Sequence, residues 1–97
     1  MYNELIKLLT ITEEAEGIDI VEAITKTNEL AAKVLSVGMK ETYEALSVGL
    51  KPELVFEIAD YLDYEGQEVI EYEEERYKVL RTFRKKTGNE LEITVTR

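Results

Sequence analysis

Val55-Phe56-Glu57-Ile58, Ile70-Glu71-Tyr72, Arg76-Tyr77-Lys78-Val79-Leu80-Arg81-Thr82-Phe83 and Leu91-Glu92-Ile93-Thr94-Val95 carry their apolar side chains with a period of two. Phe56 and Ile58 share a face, as do Ile70 and Tyr72, then Tyr77, Val79 and Phe83, and finally Leu91, Ile93 and Val95. That period is the mark of a β-strand, whose successive side chains point to opposite faces. The stretches between them, residues 63–67, 73–75 and 85–89, are short and polar and suit hairpin loops. Gly66 and Gly88 can take the positive φ that such loops often need. An antiparallel meander of four strands is the expectation for the second half of the chain.

Upstream, Gly49 and Pro52 close a different kind of segment. Met39, Tyr43 and Leu46 recur at spacings of four and three with Glu41 and Glu44 facing away, which predicts a short amphipathic helix over residues 39–46. Gly49 fits its end, and Pro52 cannot continue it. Further back, residues 5–12 read as a strand, the acidic residues 13–17 as a turn closing on Gly17, and residues 18–26 as a second strand, with helix the alternative there because Glu22 and Ala23 permit it. Residues 30–37 read as a helical turn passing into a strand through Val34, Leu35 and Val37. The sum is mainly β: a small antiparallel β-barrel or two-layer sandwich of six to seven strands, with one short α-helix in a long loop at about residues 38–52. A flat meander would bury one face only, which is why curling is expected.

With 97 residues the chain makes one domain, spanning 1–97, with one core. Its 44% apolar and 34% charged residues are those of a chain that folds. Asp and Glu number 21 against 12 Lys and Arg, a net charge of -9. Such a surface repels a polyanion, so tight nucleic-acid binding is not expected. It suits a wall past which DNA moves, or docking on a basic partner. Without Cys there is no disulfide framework or thiolate metal site, and without His the usual acid–base group is missing. The start Met1-Tyr2-Asn3-Glu4 has no basic, apolar leader, and no apolar run nears the roughly 18 residues of a span, so a cytoplasmic product without membrane contact is expected.

The groups that could carry chemistry have simpler readings. The carboxylate clusters Glu13-Glu14-Glu16 and Glu71-Glu73-Glu74-Glu75 match neither the spacing of a calcium loop nor a glycosidase pair, and read as acidic faces in water. Tyr61, Tyr64, Tyr72 and Tyr77 lack the basic surroundings of a base-stacking platform and read as core or subunit-contact residues with the hydroxyl at the rim. Arg81 shares the phase of Val79 and Phe83, hence the nominally buried side, and is expected in a structural ion pair with Glu57, Glu68 or Glu71. No catalytic residue, cofactor or metal ligand is expected, and the chain is not expected to be an enzyme.

The ordered series from Glu44-Ala45 through Gly49-Leu50-Lys51-Pro52-Glu53 and Phe56-Glu57-Ile58, then Asp63-Tyr64, Gly66, Glu68, Tyr72, Tyr77 and Arg81-Thr82, resembles the head-tail joining proteins of tailed bacteriophages and prophages. These are also called head closure, head completion or stopper proteins. The resemblance covers about residues 36 to 95. It implies a small β-barrel with a long loop between its second and third long strands, that loop falling on residues 38–52 here and the barrel on residues 54–95.

The resemblance further implies a homo-oligomeric ring beneath the portal and adaptor proteins, meeting a tail completion protein, with DNA passing through the channel unbound. The chain would be made in the host cytoplasm and end in the virion. Subunit or channel contact would fall to Met39, Tyr43, Leu46, Leu50 and Lys51. One departure is that the family often has glycine in the turn between the two tyrosine-bearing strands, where this chain has Glu73-Glu74-Glu75. Glu at positive φ is costly, so a longer turn or one of another type is expected there. The alternative, from another class, is a small acidic regulatory module that engages a basic protein.

Overall fold

Among the described residues, alternating apolar positions build six antiparallel strands: β1 (Glu4–Glu16), β2 (Asp19–Leu35), β3 (Leu54–Ile58), β4 (Val69–Tyr72), β5 (Glu75–Arg84) and β6 (Leu91–Thr96). The structure is a computed structural model that describes residues 2–17, 19–35 and 52–97. The strands close into a barrel in the order β1-β2-β3-β6-β5-β4, with β4 returning to pair with β1. The fold is thus the barrel rather than the sandwich. The expected helix over residues 39–46 lies outside the described residues, as do Met39, Tyr43, Leu46, Leu50 and Lys51.

Inside the barrel, Ile6, Leu8, Phe56, Ile58, Ile70, Ile93 and Val95 are fully buried. Phe56 sits among rings, meeting Tyr72 edge-on at 5.1 Å and Tyr77 at 6.3 Å between centroids. Edge-to-face pairs of this kind contribute about 0.5–1.5 kcal/mol beyond their buried area. Both tyrosines keep the hydroxyl at the rim. Tyr72 donates to Glu4 Oε2 at 3.1 Å and Tyr77 to Glu75 Oε2 at 3.2 Å. Burial, and then the Glu4 carboxylate, push the Tyr72 hydroxyl up to about 12, so it remains a donor.

Four features differ from the sequence-based expectations. First, residues 13–17 are not a turn: β1 runs on to Glu16 and the chain reverses at Gly17, while β2 absorbs residues 30–35, where a helical turn was expected. Second, β3 pairs with β6 rather than β4, so only β4, β5 and β6 form a meander. β3 and β4 stand opposite each other in the barrel order, and residues 59–68 must therefore cross one barrel end instead of forming a hairpin loop. A 3-10 turn, Tyr61–Asp63, shapes this crossing and is capped by Asp60, whose Oδ1 accepts from Leu62 N at 2.9 Å. Tyr61 N donates to Asn89 O at 2.8 Å, and the buried Gln67 accepts at Oε1 from Glu65 N at 2.8 Å.

Third, β5 shifts register between Val79 and Arg81 where it pairs with β6. The extra residue turns the later side chains over. Phe83 is consequently 59% exposed, and Arg81 is exposed as well. Fourth, the turn between β4 and β5 is the tight two-residue one. Tyr72 pairs with Glu75, and Glu73 and Glu74 sit at φ 51° and 67°, as a primed hairpin turn requires of both central residues. The twist of the flanking strands imposes that shape even on two glutamates. Gly66 and Gly88 do take positive φ, 83° and 100°.

The Glu73-Glu74 turn yields a direct test. Each left-handed non-glycine residue costs about 1–2 kcal/mol, and asparagine and glycine relieve most of it. The double variant Glu73→Asn/Glu74→Gly is expected to be more stable by about 1–2 kcal/mol, raising the melting temperature by roughly 4 °C or more. An unchanged or lower melting temperature would contradict the tight-turn assignment.

Candidate functional site

Glu57 lies between Phe56 and Ile58 on β3 and by phase points away from the core, yet it is only 4% exposed. The register explains the cover. Lys33 of β2 and Glu92 of β6 flank it directly across the sheet, and Lys85, just beyond β5, reaches Glu57 and Glu92. Lys85 Nζ donates to Glu57 Oε1 at 2.7 Å and lies 3.9 Å from Glu92 Oε2. Lys33 Nζ stands 3.8 Å from Glu57 Oε2, and the Tyr2 hydroxyl donates to the same oxygen at 3.1 Å. The Tyr2 ring in turn lies 5.7 Å from the Lys33 ammonium.

A buried carboxylate that accepts two hydrogen bonds and has a second ammonium beside it stays ionised. The Lys85 hydrogen bond holds the Glu57 carboxyl below its usual range against the opposing effect of burial, and the same bond raises the Lys85 ammonium. Burial, followed by the Glu57 hydrogen bond, raises the Tyr2 hydroxyl. With both its oxygens occupied, Glu57 acts as a clamp. It ties the N-terminal segment and the β5–β6 connection to the barrel wall.

The second feature is an open groove of about 800 Å³ beside β4. Beyond Leu9, β1 has left β4, and β2 does not meet β3 until Ala32, so the two strands continue as a projecting ribbon. Leu9, Ile11, Glu13 and Glu22 of that ribbon form one side of the groove, and Arg76 and Lys78 of β5 belong to the other. Near the ribbon's base, Lys26 lies 3.5 Å from Glu65 and Asn28 Nδ2 donates to Asp63 O at 3.4 Å. The groove offers apolar surface between walls of opposite charge. It suits an extended, charged segment, and it presents no nucleophile–base pair. Among the described residues no cluster of Asp and Glu is arranged to hold a metal ion.

Charge is segregated along the chain. Residues 76–86 hold six of the 12 cations, Arg76, Lys78, Arg81, Arg84, Lys85 and Lys86, and no carboxylate. Residues 13–22 hold five carboxylates and no cation. This partition is written in the sequence but is hidden in the net charge. Among the described residues, the exposed large apolar side chains are Leu5, Ile24, Leu62 and Phe83.

Of the residues singled out from sequence, Arg81 is displaced from the buried side by the β5 bulge. The buried charge is Glu57, one of the partners weighed for it, and its cations are Lys85 and Lys33. Periodicity could place Glu57 on the outer face. It could not show that Lys85 folds back over that face.

For Glu57 the folded carboxyl titrates below its ordinary value of 4.5, so its stabilisation is present above that pH and fades as the pH falls through the folded value. Glu57→Gln is expected to cost about 1–3 kcal/mol at neutral pH, measured by chemical denaturation. The gap between variant and parent should narrow steadily below pH 4.5. A gap that is constant from neutrality to acid would remove the clamp.

No family model matches the chain, and no curated protein matches it.

Proposed function

We propose that this chain is a structural component of the head-to-tail connector of a tailed bacteriophage or prophage. Copies form a ring beneath the portal and adaptor proteins, the ring helps retain packaged DNA, and its far side receives the tail completion protein. No bond is broken in this role; position and shape do the work. The observation that supports it is a closed antiparallel barrel whose second and third strands are separated in sequence by residues 36–53, the stretch on which the resemblance places the family's long loop; the barrel itself is larger than the resemblance implied, since β1 and β2 join a wall expected from residues 54–95 alone.

Charge supports the same role. A net charge of -9 keeps a phosphate backbone from adhering to a channel wall, because there are few cations to displace its counterions. Ring symmetry also repeats each modest contact, so that no single interface needs to be large.

Deleting the coding sequence from the genome that carries it, inducing particles and imaging them tests the role. Tailless heads with nuclease-sensitive or lost DNA are expected, reversed when the chain is supplied in trans. Tailed, infectious particles formed without it would overturn the proposal. Normal particles together with a stoichiometric, salt-sensitive complex of this chain with a basic protein would establish the acidic-module alternative instead.

A further inference from the structure

Over residues 10–16 and 19–31 the strands of the β1–β2 ribbon pair only with each other among the described residues, and side chains tether its base, Lys26 to Glu65 and Asn28 to Asp63 O. A two-stranded ribbon is marginally stable in water, and each of its outer edges presents a row of N–H and C=O groups open to another surface. Its distal part, residues 13–22, bears five carboxylates and no cation. Residues 76–86, along β5 and just beyond, bear six cations and no carboxylate.

Part of the basic set is engaged within the molecule: Lys85 with Glu57 and Glu92, Arg84 over the Tyr61 ring, and Arg81 in contacts of its own, which leaves Arg76 and Lys78 as the cations the groove presents. Glu13 and Glu22 line the same groove as Arg76 and Lys78, yet no ion pair joins them among the described residues. The backbone explains this: β4 stands between β1 and β5 over residues 69–72 and sets the spacing of the walls. The molecule therefore displays two opposite surfaces that its own fold keeps apart.

We propose that the ribbon of one copy docks on the basic side of β5 of a second copy. Opposite charge provides attraction and orientation, while Ile24, 46% exposed on the ribbon, and Phe83, 59% exposed on β5, supply apolar contact. Ribbon against ribbon and β5 against β5 are both like-charged, so a two-fold contact between identical patches is disfavoured. A reciprocal two-fold pair, each ribbon on the other's β5, would satisfy the same charges but stop at a dimer; the contact proposed here is head-to-tail, which propagates and closes into a ring when the rotation allows. The proposal deepens the connector reading and rests on it for ring closure. Pairing acid with base at each junction also leaves the excess acid for the rest of the ring.

Charge reversal tests the contact because the two surfaces can be inverted separately. The ribbon variant carries Glu13→Lys and Glu22→Lys; the β5 variant carries Arg76→Glu and Lys78→Glu. Self-association of the full chain is followed by sedimentation at up to about 1 mM protein, in about 20 mM and about 300 mM salt, since exposed charge pairs weaken as screening grows. The parent is expected to associate at low salt, and each variant alone at least tenfold more weakly. An equimolar mixture should return to near the parental strength, because every ribbon then finds a β5 of opposite sign.

Melting curves establish that both variants fold, and the milder Glu22→Gln and Lys78→Gln replace them if one does not. The chain has no cysteine of its own, so Glu22→Cys mixed with Lys78→Cys gives a second readout. A disulfide-linked heterodimer exceeding both homodimers is expected. Association that survives both reversals would overturn this contact and leave the ring to another surface. No association at any concentration, with no preferred crosslink, would overturn it too. Duplex DNA binding lost only in the β5 variant, with self-association unchanged, would make the basic side a phosphate-binding strip instead. The connector reading is decided separately by the particle phenotype.

Discussion

Closure of the barrel depends on three residue pairs. Lys7, Leu8 and Leu9 of β1 meet Glu71, Ile70 and Val69 of β4, and without them the sheet would be open, with two long edges. The contact is short but covers both faces of the sheet. On the inner side Leu8 and Ile70 are fully buried, and on the outer side Lys7 lies 3.5 Å from Glu71 while Leu9 is buried. The apolar pair supplies most of the energy, since an ion pair whose partners are 45% and 29% exposed gains little in water. β4 is only four residues long, so its place is set by what holds its ends: the tight turn into β5, and the crossing segment that brings the chain over the barrel end.

The same constraint explains two costs in the molecule. A hairpin as short as β4–β5 needs a turn that follows the right-handed strand twist, and Glu73 and Glu74 are held at positive φ to provide it. Tyr72 and Tyr77, packed on Phe56 from either side of that turn, offset the strain. On the opposite wall β3 is buried on both faces, with Val55 and Glu57 below 5% exposure on the outside. A carboxylate there is stable only with its partners in place, and Lys33, Lys85 and Tyr2 provide them from three separate parts of the chain. One buried charge thereby fixes an N-terminal residue and a loop that hydrophobic packing alone would leave less determined.

Much of the barrel was legible because its strands are half-buried, and a half-buried strand shows itself as alternation. Phe56, Ile58, Ile70, Tyr77, Ile93 and Val95 all stand where period two puts them. Alternation fails at a bulge, which leaves no signature in composition: one extra residue near Leu80 reversed the phase of Arg81 and Phe83 together. It also fails to choose neighbours. The β3–β4 stretch has the polarity and the glycine of a hairpin loop, and only the preference of β3 for β6 turns it into a crossing. The Glu57 cluster stayed hidden for a related reason, since Lys85 lies 28 residues away and meets it through folding alone. The surface residues assigned to the long loop lie outside the described residues.

Net charge is the coarsest electrostatic descriptor, and here it conceals the more consequential one. A molecule with its negative charge spread evenly would repel its own copies in every orientation, and crowding such copies into a ring would become harder as the ring filled. Segregation changes the sign of the local problem while leaving the total alone. In the proposed contact, one acidic ribbon and one basic strand per copy would let each neighbour be met by attraction on both sides when copies join head-to-tail. The remaining carboxylates still repel phosphate at distances up to about a Debye length, roughly 8 Å in physiological salt. Cohesion between copies and indifference to a passing polyanion would conflict on a uniform surface; under the proposed contact they would coexist, because the cations gathered on one strand would be covered there.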